Sequence, residues 1–243
     1  MTFPSLAEWQ LEAIRLIFIS HAPVSGAQKN WWEDTVGRPP DSIATRPAQM
    51  EHHETGIVDD LELSMTTRFN HVEWMLRPVQ SPPVAGQLPA LGSVDEAMSR
   101  LKQIILPWVI KSEVPFHRLA FCPVLFCPAE DLAQASRIVA MYFPGFQGVD
   151  VEDLGGQFNI PKRSTGFPEV RINRILKINS GQIQTFTVGA SPVPVIENQF
   201  VARMELDFNT EFQRSDPIPT DVFSNLLDEM QREAIQVASK GLI

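Results

Sequence analysis

An α+β fold, built on a mostly antiparallel sheet or sheets with three to four packed helices, is predicted by three features of this sequence. Residues 61–76 alternate apolar and polar with period two and change parity once, as a hairpin does. Apolar residues recur at helical spacing over 94–105, 128–143 and 220–240. These helices follow strands too irregularly for a doubly wound parallel sheet. Strands followed by helices occur at 61–143 and again at 168–240, which leaves open an arrangement of two similar side-by-side α+β units. No residue-level repeat marks such units.

The elements read as follows. Ser5 and Glu8 have capping-box spacing, and Leu6, Trp9, Ala13, Leu16 and Ile17 can share a helical face. The stretch 14–19 is equally rich in β-branched and aromatic residues, so a strand stands as the alternative. Residues 21–57 are irregular, with Pro23, Pro39, Pro40 and Pro47 and with Gly26, Gly37 and Gly56. In 61–76, Leu61, Leu63, Met65, Thr67 and Phe69 share one face, and Val72, Trp74 and Leu76 follow in the shifted parity. A hairpin or bulge near Asn70 and His71 is the expected cause.

The proline-rich 78–92 reads as a connector. Ser93 and Glu96 then open a helix carrying Val94, Ala97, Met98, Leu101, Ile104 and Ile105 until Pro107 limits it. Residues 117–126, apolar on both faces, read as a central strand. Pro128 is expected to begin a helix through Leu132, Ala135, Val139 and Phe143, which Pro144 and Gly145 stop. Extended pieces follow the glycine-rich 145–156 at 168–178, 182–188 and 197–209. Thr220 is expected to cap the last helix, with Leu226, Leu227, Met230, Ala234 and Val237 as its buried stripe. The chain thus divides into 1–150, an N-terminal α+β half with the 21–57 excursion, and 151–243, C-terminal strands with a terminal helix. Both parts are expected to pack as one globular body.

Composition narrows the function classes. With 44% hydrophobic and 20% charged residues, the chain is globular rather than disordered. Its net charge of -9 repels phosphates on average, so nucleic-acid binding would need a concentrated basic patch. No apolar run approaches the length of a membrane helix. No basic n-region precedes an apolar stretch after Met1-Thr2-Phe3-Pro4. Cys122 and Cys127 cannot form a disulfide framework and suit buried thiols in a reducing compartment. The expected location is the cytoplasm.

Four groups of residues carry candidate chemistry. Glu205 and Asp207 stand on one face of 200–209, about 6.6–6.8 Å apart along a strand, a spacing open to a divalent cation or to acid and base roles. Arg203 and its neighbours offer a simpler use for them as a salt-bridged polar face. Lys162, Arg163, Arg171, Arg174 and Lys177 oppose only Glu169, which makes a local basic stretch fit for a phosphate, a nucleic acid strand or an acidic protein surface. Pairing with the acidic stretch 51–62 is its structural alternative. Trp31 and Trp32 sit in the irregular excursion, where they pack back onto the body or meet a partner. His52, with Glu51 and Glu54, is chemically able to hold a cation, although no zinc spacing is present.

Phosphate-loop, dinucleotide-binding, nucleophile-elbow and metalloprotease motifs are absent. The expectation is therefore a non-enzymatic protein-interaction or binding protein, through a protein partner or a homo-oligomer, with no cofactor. The alternative is a metal-assisted hydrolase or nuclease that uses Glu205 and Asp207 on a phosphate-bearing substrate.

Overall fold

The computed structural model describes residues 3–24, 29–79, 87–146, 148–187, 195–211 and 214–241; for 185–187 and 195–197 it describes the backbone alone. Met1, Thr2, Gly26 and residues 80–86 of the expected connector lie outside the described residues.

The N-terminal ambiguity resolves to a strand, β1 (Gln10–Ser20), in which Ile14, Leu16 and Phe18 are fully buried and the residues between them are not. The excursion holds more order than its prolines suggest. It contains a six-residue helix, α1 (Trp31–Val36), and two strands, β2 (Ser42–Arg46) and β3 (Glu51–Val58). Gly37 ends α1 in the left-handed region, at φ 79°, where glycine is the least strained residue. The parity change at Asn70 is a tight hairpin between β4 (Leu61–Arg68) and β5 (His71–Pro78).

Helix α2 (Val94–Lys111) starts where Ser93 accepts a hydrogen bond from the Glu96 amide, and it runs through Pro107, whose ring is exposed. Strand β6 (Phe116–Ala129) then continues past Pro128. The helix expected to start there begins instead at Leu132, as α3 (Leu132–Ala140), with the Asp131 carboxylate accepting from the Gln134 amide at 2.6 Å. Pairing of Pro128 and Ala129 with Val201 and Phe200 holds that segment in the sheet.

Two short strands, β7 (Gly155–Asn159) and β8 (Lys162–Arg163), lead to β9 (Arg171–Thr187) and β10 (Val195–Thr210). The two extended pieces expected at 168–178 and 182–188 are one strand, because β10 pairs with β9 continuously from Thr187 to Ile172. Helix α4 (Thr220–Lys240) closes the described chain, with Pro219 rather than Thr220 at the capping position.

Among the described residues the ten strands form one antiparallel sheet in the order β2-β3-β4-β5-β1-β6-β10-β9-β7, with β8 beside β9. The order repeats a pattern. A first strand (β1, then β6) is followed by a helix, a meander that returns to the first strand's flank, and a second helix. The repeat divides between α2 and β6, and β1 pairs with β6 at the centre. Strand β6 and helix α3, which precede residue 150, belong topologically with the strands that follow it.

The core lies on one side of the sheet. Phe18 meets Trp108, Phe116 and Phe223 at ring-centroid distances of 5.3, 5.3 and 5.8 Å, which ties β1 to α2, β6 and α4. Trp74 of β5 meets Trp108 at 5.6 Å and stacks on Trp32 of α1 at 6.1 Å. Ser136 of α3 donates to Ser180 of β9 at 3.0 Å, with Ser180 in the same parity as the buried Leu176 and Ile178. Each buried large apolar side chain contributes about 1.5–3 kcal/mol, so this one-sided layer is the main stabilising element of the fold.

Candidate functional site

Period two sends alternate residues of every strand away from the helices. The four described helices attach to one face; on the other, which carries none of them and is called the uncovered face, Leu88 and Pro89 of the connector line a pocket with Ala13, Met75 and Phe126 at one end of the strands. Register sets that second face in rows across the strands. At its centre Arg15 of β1 lies opposite Met75 of β5 and Cys122 of β6. Among the described residues Arg15 makes no hydrogen bond or ion pair, although it is only partly exposed. Its flanking neighbours on β1, Ala13 and Ile17, are apolar.

Glu205 and Asp207 both stand on this uncovered face, as the alternation of 200–209 requires. Glu205 ion-pairs with Arg203 and, at 3.5 Å, with Lys177. Burial raises the Glu205 pKa, and the two cations outweigh burial and hold it below its ordinary value. Arg203 also reaches Glu12 of β1 at 2.7 Å. Asp207 accepts from Asn209 Nδ2 at 2.8 Å and from the Cys122 thiol at 3.6 Å. Burial, followed by the Asp207 charge, pushes the Cys122 thiol far up, so it stays protonated and unreactive. Cys127 is likewise pushed up to about 11 by burial.

A ladder of amides continues across the same face. Arg118 donates to Asn209 Oδ1 at 2.7 Å, Asn173 donates to the same oxygen at 3.0 Å, and Asn159 donates to Asn173 at 3.4 Å. Asn209 is only 1% exposed, so its hydrogen bonds must be made within the protein.

The basic stretch is split by the sheet. Lys162 and Arg174 fall on the helix side, where both pair with Glu233 of α4. Arg163 and Arg171 lie opposite each other on the uncovered side and are exposed. Arg163 donates to the Pro168 carbonyl at 2.9 Å. The alternative of neutralisation by 51–62 is corrected: Glu51 pairs with Arg46 and Arg68, Glu62 with Arg77, and Asp60 with Arg100. The acidic stretch finds its cations on neighbouring strands and on α2 because the two stretches lie in opposite halves of the sheet order.

The remaining candidates are placed as follows. Trp31 and Trp32 are 4% and 1% exposed and belong to the core. His52 and His53 point to opposite faces. His52 lies 3.2 Å from both Thr45 Oγ1 and Glu54 Oε1 on the helix side, and His53 bonds Thr55 and Thr66 on the uncovered side. Glu51 turns away from His52 toward the arginines, so the three residues do not converge. Among the described residues no group of three or more histidines, cysteines and carboxylates could hold a metal ion.

Sequence reasoning missed Arg15, Arg46, Arg68 and Arg118. They are scattered in sequence, and only strand order brings them to one face.

His117, at the start of β6, stacks on His21 with ring centroids 3.7 Å apart, and its Nδ1 accepts from the His21 amide. Burial, then the neighbouring imidazole, holds His117 below its ordinary 6.5; Asp216 and Arg214 act on it more weakly and in opposite directions. The unfolded chain thus binds a proton more readily than the fold does. Stability is expected to fall as pH drops through 6.5 and to level off below the folded midpoint. An NMR titration should place His117 below 6.5, and His21→Ala should move it upward. An unchanged midpoint in that variant would show that the stack does not set it.

Comparison with known proteins adds no relative: no family model, no curated protein and no solved structure matches the chain.

Proposed function

We propose that this chain is a non-enzymatic binding protein that works through the uncovered face of its sheet, in the cytoplasm. One observation carries the reading: a ten-stranded sheet has its helices on one side, and the opposite side is a broad surface of mixed polar and aliphatic residues. Sheets that keep one face free commonly leave it to water or to a partner. Ile17, Ile19, Met75 and Ile175 lie on this face only partly buried, which favours a partner. The carboxylates that a metal-assisted hydrolase would use, Glu205 and Asp207, already serve Arg203, Lys177 and Asn209, so that reading has less support. Both cysteines are free and buried, in keeping with a reducing compartment. No described helix is long and apolar enough to cross a membrane.

Oxidative footprinting tests the proposal. The full chain is labelled once purified and once in concentrated extract of its own cells. Protection in the extract is expected at Ile17, Ile19, Met75 and Ile175, with Ile110 of α2 labelled equally in both. Equal labelling of the sheet face, or protection confined to the helices, would overturn it.

A further inference from the structure

One margin of the uncovered face has a chemistry that the sequence conceals. Each strand but β7 contributes one residue there, β10 through Glu211 just past its end. Arg46 of β2 lies opposite Glu51 of β3, and Glu51 also binds Arg68 of β4 at 2.7 Å. Arg68 faces His71 of β5, which faces Ile19 of β1, which faces Arg118 of β6. Beyond them Glu211 hydrogen-bonds through its amide to the carbonyl of Arg171 on β9, and Arg171 faces Arg163 on β8. The line crosses eight strand spacings, about 40 Å at about 4.8 Å each.

Five arginines and two glutamates make up its charges, within a chain of net charge -9. Arg46 and Arg68 share a single carboxylate and keep 68% and 53% of their side chains exposed. Arg163 and Arg171 are exposed as well. The line itself therefore carries a surplus of three positive charges, with Glu73 in the row behind it, within a molecule that is acidic as a whole.

What lies between the arginines selects the partner. Ile19 stands in the line itself; directly behind it on the same face stand Ile17 and Ala120, with Glu73 opposite Ile17. Among the described residues the rows of this face hold no exposed phenylalanine, tyrosine or tryptophan: Phe126 is 1% exposed, and Phe69 stands outside the rows, on the β4–β5 turn. Single-stranded nucleic acid is held on sheets by stacking rings, which these rows lack, and its uniform charge would meet Glu51, Glu211 and the net negative field. A polypeptide can place carboxylates at the arginines and aliphatic side chains at Ile19 and Ile17.

We infer that this margin docks an acidic polypeptide segment that mixes carboxylates with aliphatic side chains. Its carboxylates meet Arg46, Arg68, Arg171 and Arg163, and its aliphatic side chains meet Ile19 and Ile17. An extended segment of about a dozen residues spans the line. The inference rests on the reading of the sheet face as a binding surface and adds the chemistry of what binds.

Fluorescence anisotropy with the full chain tests it. The probes are a labelled peptide of about a dozen residues rich in glutamate and leucine, the same peptide with lysine for glutamate, and a deoxythymidine oligonucleotide of similar length. The acidic peptide is expected to bind, and to weaken about tenfold or more both at about 0.3 M salt and in the Arg68→Glu/Arg171→Glu variant. Lys111→Glu, at the end of α2, should leave binding within about twofold. Circular dichroism checks each fold. Should the double variant not fold, Arg163→Glu is measured instead, since its guanidinium contacts a backbone carbonyl at the surface. Equal binding of the lysine peptide, tighter binding of the oligonucleotide, or an unchanged double variant would overturn the inference. Footprint protection of the face without acidic-peptide binding would sink this inference and leave the face reading standing; loss of that protection would sink both.

Discussion

Replacing Trp32 with alanine is expected to cost about 3–5 kcal/mol, a large share of the about 5–15 kcal/mol that holds a typical folded domain. The ring is 1% exposed, stacks on Trp74 and closes over Gly56 of β3. A Cβ on Gly56 would come within 2.9 Å of Trp32 Cζ2, so the glycine is what admits the indole. Helix α1 has six residues, far too few to persist unsupported, and its two tryptophans are its buried residues. Removing one of these anchors should therefore release the helix as well as open a cavity. Trp32→Phe should cost less, because the Trp32 Nε1 donor has no hydrogen-bond partner and its loss forfeits nothing. Urea denaturation with near-ultraviolet circular dichroism gives both numbers. A loss below about 1 kcal/mol for Trp32→Ala would mean that α1 is not held by the core.

That tryptophan pair marks where sequence reading succeeded and where it stopped. Two adjacent indoles in a proline-rich stretch had to find cover, and packing back was one of the two outcomes chemistry permits. Residue order could not tell cover by the chain itself from cover by a partner, because the covering atoms belong to Trp74, Trp108 and Gly56, distant in sequence.

The β4–β5 hairpin and α4 were legible for a local reason: each strand and the helix keep one apolar period from end to end, and the hairpin's single parity change falls at its turn. Strand β1 left two readings because its outward residues include Ile17 and Ile19, aliphatic on a face that is not core. Strands β2 and β3 were illegible because they lie at a sheet edge, where charged residues, histidines and glycine replace the alternating pattern.

The candidate site divides in the same way. Period two alone placed Glu205 and Asp207 on one face and separated His52 from His53. It could not show that Lys162 and Arg174 turn to a helix while Arg163 and Arg171 turn away, because that depends on α4 and its Glu233 being on one side of the sheet. The arginine margin is still further from the sequence: it needs the strand order, in which residues 19 and 118 become neighbours.

Glu229→Ala is expected to cost about 2–4 kcal/mol, although α4 itself would favour alanine. The carboxylate is 4% exposed and lies on the inner side of α4. It accepts from the Ser164 hydroxyl, and from the Thr165 amide and hydroxyl at 2.7 and 2.9 Å. Those donors belong to the loop between β8 and β9, so one side chain fixes that loop to the helix and, through it, the position of Arg163. Removing the carboxylate leaves the nearly buried Ser164 without its acceptor, and that asymmetry gives the substitution its size.

The effect should depend on pH. Burial raises the Glu229 pKa, but the Ser164 and Thr165 donors outweigh it and hold the group below its ordinary 4.5. A depressed folded pKa contributes stability that is present above 4.5 and is lost as pH falls through the folded value. The gap between wild type and Glu229→Ala, measured by urea midpoint, should therefore be full at neutral pH and shrink in acid. Glu229→Gln separates charge from shape: it keeps one acceptor oxygen, should lose less than alanine, and should show little of the acid dependence. A constant gap across pH would show that the carboxylate's charge contributes nothing to holding the loop.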